Sequence, residues 1–308
     1  MHVVIPFALS DDPACRQAAK ALQLPHLSQM VQALSPSAGW AFPPNCLALA
    51  HEHLQAAELG WPIASSYPWA ALKAAQQGLD RSLAWAFVTP CHWQVAQGQV
   101  MMSHPQALGL QAQEMDELRL AMQDFFAEDG ITLHAAPGHS HWLASGEVFR
   151  HLPTAPVARA VGRHLSPWLP PSDLLRRLQN EMQMLFYTHP LHDARISRGE
   201  LAVNSVWFSG SGALPEGFTN NKLLDLQALS DLETAALNND WAAWQRSWET
   251  LDATLLPQML QAAAAGPVRL SLCSEDKVLT LSNTPRNFLQ KLKHRLSPQG
   301  LNTVWNAL

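Results

Sequence analysis

Paired cysteines are the first absence. The four cysteines, Cys15, Cys46, Cys91 and Cys273, lie far apart with no CxxC. That spacing matches neither a zinc knuckle nor a dense disulfide framework, and it leaves reduced thiols in a cytoplasmic protein as the economical reading. Charge is sparse as well: 15% of the 308 residues are charged and the formal net charge is -5. Lys and Arg are scattered except for Lys291, Lys293 and Arg295, so there is no electrostatic footprint for nucleic acid. No apolar run approaches the ~20 residues of a membrane-spanning helix. The opening MHVVIPFAL lacks the basic stretch of a signal peptide, and Pro6 interrupts its apolar run, so neither a membrane span nor a leader is expected.

What is present is a large apolar fraction, 47% of the chain, enough to bury a sizeable core in one large or two smaller domains. Val3 to Leu9 reads as a buried strand. Asp12-Pro13 has the signature of an N-cap followed by a first-turn proline, which starts a helix running to about Leu22. Further helices are expected over 25–34, 46–59, 68–79, 111–128 and 171–187, the last with Leu174, Leu175, Leu178, Met182 and Leu185 on one face. The stretch LSPSAGWAFPPNC reads as loop. Strand pairs are expected around Gly98 and around Pro137-Gly138. A long helical region over 221–265, strands PVRLSLC and KVLTLS, and a helix over 284–296 complete the chain. Alternating helices and strands predict an α/β fold, a mixed or mostly parallel sheet with helices on both faces. The expected organisation is a discontinuous α/β core of 1–82 and 171–308 with a strand-helix-strand subdomain inserted over 83–170.

Several side chains invite a chemical reading. His139 and His141 flank Ser140 and, on a strand, would project from one face as a metal-binding pair does, but no third ligand sits at a defined spacing. Cys91-His92 are neighbours that a strand turns to opposite faces, so they make no nucleophile-base dyad. His51 and His53 fall two apart on a helix and read as exposed positions. The 12 tryptophans stand against 2 tyrosines, and Trp241, Trp244 and Trp248 recur at helical spacing, a stripe that fits core packing or a partner-binding face. Ser209 to Gly212 lacks the order of a nucleotide-binding loop, although its backbone could cradle an anion. Most suggestive is the cluster His189, His192, Asp193, Arg195 and Arg198, where arginines at a helix junction can hold a phosphate or carboxylate bidentately. The alternative is an exposed loop in which Asp193 pairs with an arginine.

The segment HPLHDARISRGELAVNSVWFSGSG resembles the archaeal-type cofactor-independent phosphoglycerate mutases. Its His189, Pro190, Arg195, Gly199, Asn204, Gly210 and Gly212 match their pattern, whereas His192, Val203 and Ser209 depart from it. NEMQMLFYTHP, GRHLSPWLP and VNSVWFSGSG also resemble a bacterial family labelled RpfE-type regulatory proteins. The resemblance implies an alkaline-phosphatase-like fold, a sheet with helices on both faces carrying a smaller inserted α+β subdomain. It further implies two divalent ions serving an early Asp, a nucleophile and an Asp-His motif. This chain has FALSDDPAC after its first strand and no Asp-His dipeptide. Asp240 and Asp252 could descend from the mutase ligands, and Ser274-Glu275 stand where Asp-His would be.

The combined expectation is a non-catalytic, regulatory, mutase-like protein without a cofactor. It would bind a small phosphorylated or carboxylate metabolite, or a protein partner, through Arg163, His189, Asp193, Arg195, Arg198, Asn204, Gly210 and Gly212. Two rivals remain open. One is an active metal-dependent mutase or phosphohydrolase using manganese or zinc on His139, His141, His189 and Asp193; the other is an interaction scaffold built on the tryptophan helix.

Overall fold

In the computed structural model of the chain the described residues are 1–96, 98–136, 138–218, 230–283 and 300–308. From the N-terminus they form β1 (His2–Ile5), α1 (Pro13–Ala21), α2 (Pro25–Ala33), β2 (Ser35–Ala41) and α3 (Ala50–Glu58). Next come α4 (Trp69–Gln76), β3 (Trp85–Cys91), β4 (Trp93–Ala96), β5 (Gln99–Met102), α5 (Ala112–Glu128), β6 (Thr132–His134) and β7 (Trp142–Ser145). They are followed by α6 (Val157–Ala160), α7 (Asp173–Thr188), α8 (Pro190–Ser197) and β8 (Ser205–Gly212). The C-terminal part holds α9 (Ser230–Leu237), α10 (Trp241–Ala265), β9 (Arg269–Cys273), β10 (Lys277–Ser282) and α11 (Leu301–Ala307). The chain falls into a terminal unit, Met1–Gln55 with Leu224–Leu308, and an inserted unit, Ala56–Leu223.

The terminal unit is built on a sheet of order β1-β9-β10-β2, in which β1 runs parallel to β9 and the other pairs are antiparallel. Ser35–Ala41, expected as loop, is the edge strand β2. Pro36 and Gly39 are tolerated there because an edge strand leaves one side of its backbone unpaired. The helices follow their sequence signals. Asp12 caps α1, its carboxylate accepting Ala14 N at 2.7 Å and Cys15 N at 3.4 Å. The start of α2 has no side-chain cap of its own; Asp252 of α10 supplies one, accepting Leu27 N at 2.8 Å and His26 N at 3.2 Å. The tryptophan stripe packs inward. Trp244 and Trp248 are fully buried, and their indole N–H groups donate to Phe7 O at 2.9 Å and Ala8 O at 3.2 Å, as buried indoles require.

The long helix expected over 221–265 is two helices within the described residues, separated where Asn239 takes φ 53°; 219–229 lie outside them. The helix expected over 284–296, with Lys291, Lys293 and Arg295, also falls outside. His51 and His53, expected at exposed positions, are 9% and 2% exposed, because that part of α3 packs into its unit rather than facing water.

The inserted unit holds an antiparallel sheet of order β6-β7-β3-β8 and a hairpin, β4 with β5, around Gly98. Alternation along its strands sorts the core into two layers. Ala86, Val88, Trp142, Ala144, Val206 and Phe208 pack against α5 and α7, through residues such as Leu118, Met122, Leu178 and Met182. Trp85 and Leu143 pack with Ala70, Ala71 and Ala74 of α4. Helices thus flank this sheet, and the chain is of mixed α/β class. The unit boundaries at 55/56 and 223/224 differ from the expected 82/83 and 170/171. Three sets of contacts accompany the difference: α4 packs on Trp85 and Leu143, β8 pairs with β3 along Cys91↔Ser205 to Trp85↔Gly212, and buried Gln179 of α7 donates to Val206 O at 3.0 Å. Among the described residues no helix is long and apolar enough to cross a membrane.

Candidate ligand cleft

Pro90 creates an opening in the inserted sheet. β3 pairs with β7 only as far as Val88↔Trp142, while its pairing with β8 continues to Cys91. Proline has no N–H to extend the first ladder. Beyond that point lies a cleft of about 500 Å³. One wall is Pro105 to Ala112, which enters α5; another is Ala135, Ala136, Gly138, His139 and Ser140, between β6 and β7; Pro90 and Trp142 also line it. The lining is chiefly apolar, with Gln106, Asp116, His139 and Ser140 as its polar groups and, among the described residues, no Lys or Arg. An apolar pocket with a few convergent polar groups is the usual form of a small-molecule site.

Two of the arginines expected to bind an anion, Arg195 and Arg198, pair with Glu114 beside one wall of this cleft. Residues 190–197, expected as a junction or loop, are helix α8, capped by His189, whose Nδ1 accepts Leu191 N at 3.2 Å. Arg195 is 1% exposed. Its Nη1 donates to Glu114 at 2.7 Å, its Nε to Leu201 O at 2.8 Å and its Nη2 to Leu108 O. Arg198 Nη2 reaches the other Glu114 oxygen at 2.7 Å and Glu200 at 2.8 Å. Glu114 sits in the first turn of α5, where its charge suits the helix dipole, and it also accepts Gln111 N at 3.0 Å. Leu108, inside the Pro105–Ala112 wall, and Glu114, just beyond it, are therefore tied to Arg195 of α8. The guanidinium of Arg195, expected to hold an anion, donates here to internal acceptors.

The other expected residues have local duties. Asn204 pins the start of β4, with Oδ1 accepting Trp93 N at 2.7 Å and Nδ2 donating to Trp93 O at 2.8 Å. Asp193 is exposed on α8. Arg163 is partly buried beside β5, where Val161 and His164 bridge Met102 and Met101. Gly210 and Gly212 lie inside β8 rather than in an anion-cradling turn. At Gly210, φ 60°, a Cβ would meet the Phe87 ring at 2.9 Å; at Gly212, φ 140°, it would meet Pro68 Cβ at 2.9 Å. Glycine there permits a bulged strand to approach the start of α4 closely.

His139 and His141 do come together, their ring centroids 5.3 Å apart. His141 packs edge-on against Phe87. Burial, then His139 and Lys73, push its imidazole down to about 4, so it is neutral near pH 7. Among the described residues, no three His, Cys, Asp or Glu side chains gather where they could hold a metal ion. The two-ion site implied by the mutase resemblance therefore does not fit the side chains described here. The residues that sequence reasoning missed are Glu114, Asp116 and Pro90. The spacing Gln111-x-x-Glu114 was the signal for the first, since that pattern marks a helix start.

No protein-family model matches the chain, and no curated protein matches it. Among solved structures, it is similar to a cofactor-independent phosphoglycerate mutase from Thermoplasma acidophilum. The identity is 15% and the TM-score 0.40, over 94% of this chain and 90% of that one. It is also similar to the PH0037 protein from Pyrococcus horikoshii, at 13% identity and a TM-score of 0.48, over 91% of this chain and 86% of that one.

Proposed function

We propose that this chain is a non-catalytic, phosphoglycerate-mutase-like binding protein whose ligand site is the cleft of the inserted unit. A regulatory role of the RpfE-type kind belongs to the same proposal. The observation that carries it is the cleft itself: about 500 Å³, walled by apolar side chains and braced from behind by a buried ion pair. The mutase-like part rests on the sequence pattern from His189 to Gly212.

The lining also narrows the ligand. Among the described residues no Lys or Arg lines the cleft, and Arg119, whose Nε lies 3.8 Å from Asp116, is not one of the lining residues. An uncharged or cationic molecule with an apolar body therefore fits better than the phosphorylated acid expected from the sequence. His139 and Ser140 would supply hydrogen bonds to its polar end. Thermal unfolding of metal-analysed protein tests this, run against small aromatic amines and amides, and against phosphoglycerates with and without manganese. A ligand at ~100 times its dissociation constant stabilises the fold by about 2.7 kcal/mol. The expected result is a shift with an amine or amide that is lost in Ala112→Trp, which fills the cleft from the first turn of α5. A shift that survives Ala112→Trp overturns the site, and one produced by phosphoglycerate alone overturns the ligand class.

A further inference from the structure

The terminal unit places a thiol and an imidazole in contact. Cys46 Sγ lies 3.4 Å from His53 Nε2. The local fold sets this pairing. Cys46 N donates to Pro43 O at 2.9 Å, closing a turn ahead of α3, and Leu49 N donates to Glu52 Oε2 at 2.8 Å at the helix entry. The turn folds residue 46 back over the first turn of α3. The ring it meets is fixed: His53 is 2% exposed and stacks on Phe42, with centroids 3.8 Å apart and planes 18° from parallel.

The other three cysteines provide the contrast. Cys15, Cys91 and Cys273 are buried. Burial pushes the Cys15 thiol up to about 11 and those of Cys91 and Cys273 higher still, which keeps them protonated and inert. Cys46 is only partly buried and follows the exposed Pro43, Pro44 and Asn45, so a reagent in solution can reach it. The ionisable neighbours along α3 are His51 and Glu52. Glu52 is in turn within electrostatic reach of Glu233 on α9.

We propose that Cys46 and His53 form a reactive thiol site, in which His53 takes the thiol proton and the thiolate is open to soft electrophiles and to reversible oxidation by hydroperoxides. In the oxidation the thiolate attacks the terminal peroxide oxygen, forming an S–O bond as the O–O bond breaks. The leaving alkoxide or hydroxide takes the proton from the His53 imidazolium. Sulfur loses two electrons and the peroxide gains them, giving a sulfenic acid and an alcohol or water. Two equivalents of an added thiol return Cys46 to the reduced state through a mixed disulfide.

The test uses the full folded chain, with iodoacetamide labelling mapped by mass spectrometry across pH. Labelling is expected at Cys46 ahead of the other three, with a rate midpoint below the ~8.5 of a free thiol. A midpoint lowered by about 1.5 units raises the thiolate fraction at pH 6 about thirtyfold, and the rate about fivefold, since a weaker base is also a weaker nucleophile. His53→Asn should retain labelling but return the midpoint to that of a free thiol; hydroperoxide followed by a dimedone probe should mark Cys46 alone. Equal labelling of all four cysteines, or a midpoint at or above that of a free thiol in the unmodified protein, overturns the proposal. The unmodified protein's profile decides the matter even if His53→Asn does not fold.

Discussion

Replacing Arg195 with Met separates a bracing role from a binding one. The guanidinium is 1% exposed and bonded to Glu114 at 2.7 Å, to Leu201 O at 2.8 Å and to Leu108 O. Met fills much of the space but leaves two carbonyls unpaired and Glu114 with Arg198, at 2.7 Å, as its remaining ionic partner beside the Gln111 N–H. Removing one partner of a buried ion pair costs about 3–5 kcal/mol. Because Glu114 keeps a second arginine, a loss of roughly 3 kcal/mol is expected. Equilibrium urea unfolding measures it as a lowered midpoint for the inserted unit at unchanged slope. Arg195→Lys should recover only part of the loss, since an ammonium cannot reproduce the planar fork that serves three acceptors at once. A double-mutant cycle with Glu114→Gln should give a favourable coupling. A loss below about 1 kcal/mol in Arg195→Met would show that the buried pair does not brace the wall, refuting the argument.

Four further outcomes follow from the packing and the protonation states. Asp252→Ala removes the carboxylate that caps α2 from α10 through His26 N and Leu27 N; a loss of about 2–3 kcal/mol in the terminal unit is expected by chemical denaturation. Gly212→Ala forces a side chain into φ 140° with its Cβ 2.9 Å from Pro68, and should cost roughly 2–4 kcal/mol, read as a lower melting temperature. His141 protonates near its ordinary 6.5 when unfolded but only at about 4 when folded. Between those values the unfolded chain holds the extra proton, so stability is lost as pH falls, by about 3 kcal/mol in all. His141→Gln should flatten that limb of the stability profile. Glu233 acts in the opposite sense: burial, then Glu52, raise it from 4.5 to about 7. Its contribution is full below 4.5 and is lost as pH rises through 7, and Glu233→Gln should remove that decline.

Local signals made the helices legible. Asp12-Pro13 announced α1, and the leucine face from Leu174 to Leu185 announced α7, because caps and periodicity act within a few residues. The edge strand β2 was hidden: Pro36 and Gly39 argue against a strand until a partner such as β10 fixes them from outside. The site was less legible. Arg195 looks like an anion ligand in sequence because its carboxylate partner, Glu114, lies 81 residues away, and no local rule links the two. Gly210 and Gly212 suggested a cradle, yet their freedom serves close packing against Phe87 and Pro68. His53 looked like a surface position because spacing along a helix does not reveal what covers it. The cleft itself depends on one ladder stopping at Val88↔Trp142, short of Pro90, which only the register of β3 against β7 discloses.

The most direct test of the ligand site is a crystal structure of the protein soaked separately with a small aromatic amine and with 3-phosphoglycerate. Density for the amine between Leu110, Met115, His139 and Trp142, with Arg195 still bound to Glu114, is the result expected. Phosphoglycerate seated on Arg195 and Arg198, with Glu114 displaced, would contradict the account and return the site to the arginines.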